Sequence, residues 1–426
     1  MTGNNRVIPP PVFRIEGPQT ISDVERELSE LEKERPVHLL LPVRPQKWWF
    51  GGEAALIQLL VTWGGRNSGA TLVTHVTDTA DPTGQLRSLV RRPFGFVAAW
   101  MARDVTDLKG SHSLKADANR LSVDQISRMW QGDRTTRELR QPSLFGEDER
   151  NEWDQPGVPG LGVSVFLASV DHYSKWRIPQ CYFPSGEVRH RDDFVSLGES
   201  MMRRAAWRGE TPIPPELYRP LGSILHELFK NTHEWARTDE EGVPHLRSVR
   251  GLLAQGHTWG EQEIADVVEG SPALAAYLRN PDFRTNEGRF RCLELSIFDS
   301  GIGLARRWLS RESTSRNGVV RPTLDEEYQA CMECFLRWKT SSGALHKGLG
   351  LHEVMETLSK LQGFFRVRTG RLSLYRDFVA RPYGDSAPAT SHILTDWSSQ
   401  SESPTAMASV QGTLYTMLLP IRNRRP

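Results

Sequence analysis

The sequence predicts a mixed α/β protein built from two units, and three observations carry that reading. Between Val37 and Ala102, apolar runs of strand length alternate with runs of helix length, which is the pattern of a small unit with parallel strand pairing. A proline cluster, TPIPP at 211–215, interrupts the chain near its middle, where a hinge or linker is expected. Beyond it, amphipathic helices and apolar strands recur to the end. The chain of 426 residues is long enough for two or three cores. The expected division is a loose N-terminus with a short helix over 1–35, an α/β module over 36–210, and a second unit over 211–426.

Taken in order, Thr20 to Glu34 reads as a helix. Ser22 and Glu25 have capping-box spacing, and Val24, Leu28 and Leu31 form its apolar stripe. VHLLLPV follows as a strand, GGEAALIQLLVTWG as a helix, ATLVTHV as a strand and Pro93 to Ala102 as a helix. Residues 104–158 are charged and poor in apolar runs, which predicts a surface excursion. LGVSVFLASV resumes as a strand, followed by IPQCYF and a basic helix ending MMRRAAWR. After the proline cluster come a helix reaching about Arg237, the strand LELSIF, and helices over Asp325–Trp338 and Leu351–Leu361, the last stopped by Gly363. FFRVRTG and RLSLYRD form a hairpin across TGR. A Ser-, Thr- and Pro-rich loop over 384–409 precedes the closing strand GTLYTMLLP.

Composition excludes several classes. An apolar fraction of 38% with 25% charged residues describes a globular chain rather than a disordered one. Lys plus Arg number 53 against 52 Asp plus Glu, a formal charge of +1, which argues against general binding to nucleic acid or a membrane surface. Nucleic-acid contact through the Arg-rich pieces LRSLVRRPF, MMRRAAWR and IRNRRP stays open, although no aromatic platform is interleaved with them. Four scattered cysteines do not make a disulfide framework. No apolar run approaches the roughly 18 residues of a membrane span, and MTGNNRVIPPPVFR has no hydrophobic signal core. A cytoplasmic location is expected.

Chemistry concentrates in four segments of the C-terminal half. In LHELFKN, Glu227 and Asn231 stand four residues apart, hence one turn apart on one helix face. A carboxylate there suits a base, and an amide oxygen suits a hard divalent cation. DSGIG follows the strand LELSIF, so Asp299 lies at a strand end, where a carboxylate accepts a bond from an exocyclic amine. Gly301 and Gly303 let the backbone pass close to a flat ring. HKGLGL opens a helix. There Gly348 and Gly350 expose backbone N–H groups to phosphate, and Lys347 adds a positive charge. In QGTLYTMLLP, Thr413 leads the last strand with a hydroxyl able to reach a base or a water.

In this order and on these elements, the four segments resemble the GHKL superfamily of ATP-binding domains, which includes the gyrase B subunit, the MutL proteins, Hsp90-type chaperones and histidine kinases. HELFKN resembles the family's N box, DSGIG its first glycine box, HKGLGL its second, and GT its last strand. The resemblance covers about residues 213–424. It implies a Bergerat-type, left-handed βαβ sandwich holding ATP between helices and a mixed sheet. It further implies that Asn231 ligates Mg²⁺, that Asp299 takes the adenine amine beside Gly301 and Gly303, and that Lys347, Gly348 and Gly350 cradle phosphates under a mobile lid. Thr413 would support adenine. Glu227 stands where hydrolysing members carry their general base and many histidine kinases carry Asn. The implied activity is a Mg²⁺-dependent ATPase driving a conformational or dimerisation switch, with a second copy or another protein as partner. A protein kinase of the anti-sigma or histidine-kinase kind and a non-hydrolysing scaffold are the alternatives. The 68 residues from Asn231 to Asp299 are long for the compact kinases and predict an insertion around GVPHLRSVRGLLAQGHTW.

Other features have plainer readings. His226 reads as a packed or capping histidine rather than a phosphoacceptor. Lys230 stands where a zinc HExxH helix needs its second histidine. Cys331 and Cys334 form a lone C-x-x-C and read as buried or half-buried thiols. Trp48, Trp49 and Phe50 read as a core edge. Arg306 and Arg307 read as solvated or ion-paired.

Overall fold

The computed structural model describes residues 12–17, 19–42, 47–135, 164–171, 180–205, 214–268, 270–312, 322–336, 350–384 and 394–422. Its mixed α/β character agrees with the sequence, and both a parallel and an antiparallel sheet are present. Four short strands, β1 (Val12–Arg14), β2 (His38–Leu40), β3 (Thr71–Val73) and β4 (Asp104–Thr106), pair in parallel in that order. Five helices accompany them: α1 (Ile21–Glu34), α2 (Gly52–Arg66), α3 (Thr83–Val90), α4 (Pro93–Met101) and α5 (Lys115–Thr135).

The capping box of α1 lies two residues earlier than expected. The Thr20 hydroxyl accepts from the Asp23 amide at 3.1 Å, and the Asp23 carboxylate accepts from the Thr20 amide at 3.1 Å. Glu25 is engaged elsewhere: buried, it takes bonds from Arg366 and Arg368. The surface excursion expected from 104 onward is in part ordered structure. Val105 lies in β4, and Leu114, Ala118, Leu121 and Ile126 bury one stripe at and along α5.

The second sheet has seven strands: β5 (Val165–Val170), β6 (Val249–Trp259), β7 (Phe290–Asp299), β8 (Phe364–Gly370), β9 (Leu372–Asp377), β10 (Thr395–Asp396) and β11 (Val410–Pro420). Their order is β10-β9-β8-β11-β7-β6-β5, and each neighbouring pair is antiparallel rather than mixed. Around it lie α6 (Arg191–Ala205), α7 (Tyr218–Trp235), α8 (Glu261–Val267), α9 (Pro272–Leu278), α10 (Leu304–Glu312), α11 (Leu324–Glu333) and α12 (Gly350–Leu361). The residue that stops α12 in the left-handed region is Gln362, at φ 53°, with Gly363 donating back to Leu358.

Two observations concern organisation. The stretch expected to hold an insertion contains β6, eleven residues long and buried throughout. Its polar Gln255 and His257 break the apolar run, yet both are buried because Glu53 and Glu294 accept or share their hydrogen bonds. The boundary expected near 211–215 divides elements that pack together. β5, upstream of it, pairs with β6 downstream over six residues, and α6 packs along α7. Helix α2 is buried from Gly52 to Trp63, its polar Glu53, Gln58 and Thr62 included, and packs against α1, α4 and β11, as an interior helix does. One continuous core therefore joins Leu39, Leu56 and Val105 to Leu225, Leu295 and Met417.

Candidate functional site

Strand β7 ends at Asp299, between β6 and β11, so the carboxylate projects where three strand ends meet. Asp299 is only 5% exposed, and its Oδ1 accepts from the Gly301 amide at 2.8 Å and the Thr413 amide at 3.2 Å. Burial pushes its carboxyl up, against the pull of those two amide bonds, and leaves it at about 6. Thr413 thus meets Asp299 through its backbone N–H.

The glycines here are close approaches. A Cβ on Gly301 would stand 2.6 Å from the Cα of Ala236, which caps the end of α7. Gly303 has φ 88°, and a Cβ there would stand 2.7 Å from the Thr369 hydroxyl, which accepts the Leu304 amide at the head of α10. Gly412, at φ 75°, donates to the Gly301 carbonyl at 2.7 Å, and its missing Cβ would fall 1.9 Å from the Asp299 carbonyl oxygen. Thr369 and Gly412 were not singled out from the sequence. Their signals were present, in the TGR turn and in the glycine of QGT.

Glu227 lies on α7 among apolar neighbours, Leu225, Leu228 and Phe229, all fully buried. Its Oε1 accepts from Arg191 Nη2 at 2.7 Å and lies 2.9 Å from His226 Nδ1. Burial pushes the Glu227 carboxyl up, but the bonds to His226 and Arg191 outweigh it and hold the group below its ordinary value. Its Oε2 lies 2.7 Å from where a Cβ on Gly350 would stand. The N-terminal end of α12 and the face of α7 that carries Glu227 therefore meet at a glycine. Asn231 is one turn farther along α7 and partly exposed. Lys347 and Gly348 lie outside the described residues.

Searches of protein-family models, of curated proteins and of solved structures each return no match.

The remaining geometry comes from the residues themselves. Behind Asp299, Arg250 of β6 faces it across the ladder and clasps Asp171 with two bonds of 2.6 and 2.7 Å. Burial pushes the Asp171 carboxyl up, but Arg250 outweighs it and brings the group down to about 2. Arg250 Nε also donates to the Tyr182 hydroxyl at 2.7 Å, and that hydroxyl lies 3.2 Å from His233 Nδ1 on α7. Asp171 and Tyr182 both precede the expected boundary, so the upstream half braces the site. Arg307 caps the end of α7 by donating to the carbonyls of Trp235, Thr238 and Asp239, while Arg306 pairs with Glu240. Neither is poised as a loose cation. Cys331 is buried, Cys334 half-buried, and both are free thiols; Trp48, Trp49 and Phe50 are buried in the core.

Among the described residues no group of three or more His, Cys, Asp or Glu side chains can hold a metal ion. No helix among the described residues is long and apolar enough to cross a membrane.

Proposed function

We propose that the chain binds Mg·ATP between α7, α12 and the joined ends of β7, β8 and β11, and hydrolyses it. The observation that carries this reading is the pair of one-sided carboxylates. Asp299 has Oδ1 occupied by two backbone amides, and Glu227 has Oε1 occupied by Arg191 and His226. Each is fixed by one oxygen, so each offers the other to a ligand in a set orientation. Asp299 Oδ2 accepts the adenine amine; Gly301 and Gly303 are taken up by packing against Ala236 and Thr369, and so shape the turn beside it rather than open space for the ring. Gly350 and the helix start it opens, with Lys347 and Gly348 just before it, receive the phosphates. Asn231 would hold Mg²⁺ through its amide oxygen, and the ion would supply positive charge beside the phosphates.

Glu227 Oε2 takes a proton from a water whose oxygen bonds to the γ-phosphorus. The bond from that phosphorus to the bridging oxygen breaks, leaving ADP and phosphate. Its lowered pKa keeps Glu227 ionised, and so able to accept that proton, at neutral pH. In the resemblance, such turnover resets a conformational or dimerisation switch.

Phosphate release by the purified chain with Mg·ATP tests the reading. Glu227→Gln is expected to lower kcat by roughly 10²- to 10⁴-fold while ATP still binds. A variant that turns over at the wild-type rate removes Glu227 from the chemistry. Label transferred to a protein instead of to water points to the kinase alternative, and binding without turnover to the scaffold.

A further inference from the structure

We infer that Arg191, at the head of α6 and outside the segment that carries the family resemblance, is the positioning residue for the Glu227 carboxylate. The inference rests on the hydrolysis reading above. Arg191 Nη2 donates to Glu227 Oε1 at 2.7 Å and to Glu353 Oε2 on α12 at 2.5 Å. One guanidinium thus holds carboxylates from two helices. His226 Nδ1 meets the same Glu227 oxygen at 2.9 Å. With Arg191 and His226 both on Oε1, rotation of the carboxylate is stopped, and Oε2 is left against Gly350, where the second glycine box enters α12.

The scaffold fixes the head of α6 at this spot. A Cβ on Gly222 of α7 would stand 2.5 Å from the Val195 Cα, and one on Gly198 of α6 would stand 3.3 Å from the Leu221 side chain. The two helices therefore touch nearly backbone to backbone, and Arg191 is placed to within the play of its own side chain. That side chain is 45% exposed. It lies at the edge of the core, and the Arg191→Lys variant, which keeps the charge, separates lost positioning from lost folding. Both bonds come from the one Nη2, so a lysine ammonium, with three donors on a side chain of different length, keeps the charge and can restore part of this contact.

The test uses the full chain with Arg191→Gln and Arg191→Lys. Steady-state phosphate release gives kcat and KM, a fluorescent ATP analogue gives affinity, and hydrogen exchange of the nucleotide-free protein follows residues 350–355. For Arg191→Gln, kcat is expected to fall roughly 10- to 100-fold while nucleotide affinity stays within about twofold. Arg191→Lys recovers part of the loss, and exchange at the start of α12 rises in Arg191→Gln without nucleotide. An Arg191→Gln protein with wild-type kcat overturns the inference. So does one that loses kcat and affinity together with no recovery in Arg191→Lys. A wild-type chain that binds no ATP and releases no phosphate overturns the hydrolysis reading itself, and this inference with it.

Discussion

Asp299, the residue proposed to take the adenine amine, is held at the expense of the fold. Its carboxyl moves from an ordinary value of 3.8 to about 6 because the charged form is buried. A group whose pKa is raised on folding stabilises the native state fully below its unfolded value. That contribution is lost as pH rises through the folded one. Asp299→Asn keeps an acceptor for the Gly301 and Thr413 amides but has no charge to bury. From pH 4 to pH 7 the urea stability of the variant is therefore expected to gain on wild type by up to about 3 kcal/mol. A stability difference independent of pH would show that Asp299 is not desolvated as described. ATP affinity of the wild type is expected to weaken as pH falls through about 6, where the adenine acceptor becomes protonated. Gly412→Ala meets both a left-handed backbone and the Asp299 carbonyl; a loss of at least about 1–3 kcal/mol in the same denaturation assay is expected from the backbone alone.

At the scale of elements, the ion-paired joint between α1 and β8 is the sharpest test of how the N-terminal helix is anchored. Glu25 sits between Arg366 and Arg368, each 1% exposed. Removing the only carboxylate of that trio leaves two buried cations together, so Glu25→Ala is expected to cost about 3–5 kcal/mol, read from the urea midpoint. A loss below about 1 kcal/mol would mean that water reaches the two arginines. The same joint marks the limit of sequence reading. Periodicity located α1, α2, α7 and the β8–β9 hairpin, because their apolar faces are regular and their ends carry turn residues. It did not give the cap at Thr20, because Ser22 and Glu25 have the same spacing as Thr20 and Asp23. Strand β6 was read as an insertion because burial of Gln255 and His257 depends on Glu53 and Glu294, which lie 202 and 37 residues from their partners in sequence. Asp299, its glycines and Glu227 were legible because each chemistry-bearing residue sits beside its own helix or strand signal. Arg191 was not, since only tertiary packing brings it to Glu227; Thr369 and Gly412 lay in turn signals whose contact with Gly303 and Asp299 the sequence does not show.

Over the whole molecule, helix α2 and the strand pair β5–β6 tie the two halves into one core. The chain contacts the site from behind as well: the Gln411 backbone amide donates to the Thr62 hydroxyl of α2 and its side-chain amide to the Ser300 carbonyl, and Gln58 donates to the Arg368 carbonyl beside Thr369. A fragment spanning 211–426 lacks α2, β5 and α6, so it is expected to show no cooperative unfolding transition, whereas the full chain does. A fragment that folds and binds nucleotide would restore the boundary at the proline cluster.

The claim on which the rest depends is that Asp299 receives an adenine amine. Calorimetric titration of the full chain with Mg·ATP at pH 7.5, for wild type and Asp299→Asn, tests it directly. Asparagine preserves the bonds from Gly301 and Thr413 through its carbonyl and turns a donor toward the adenine amine. Wild-type protein should bind ATP in preference to GTP, and Asp299→Asn should bind ATP roughly 10- to 100-fold more weakly with its fold intact. Equal ATP affinity in the two proteins would contradict the account.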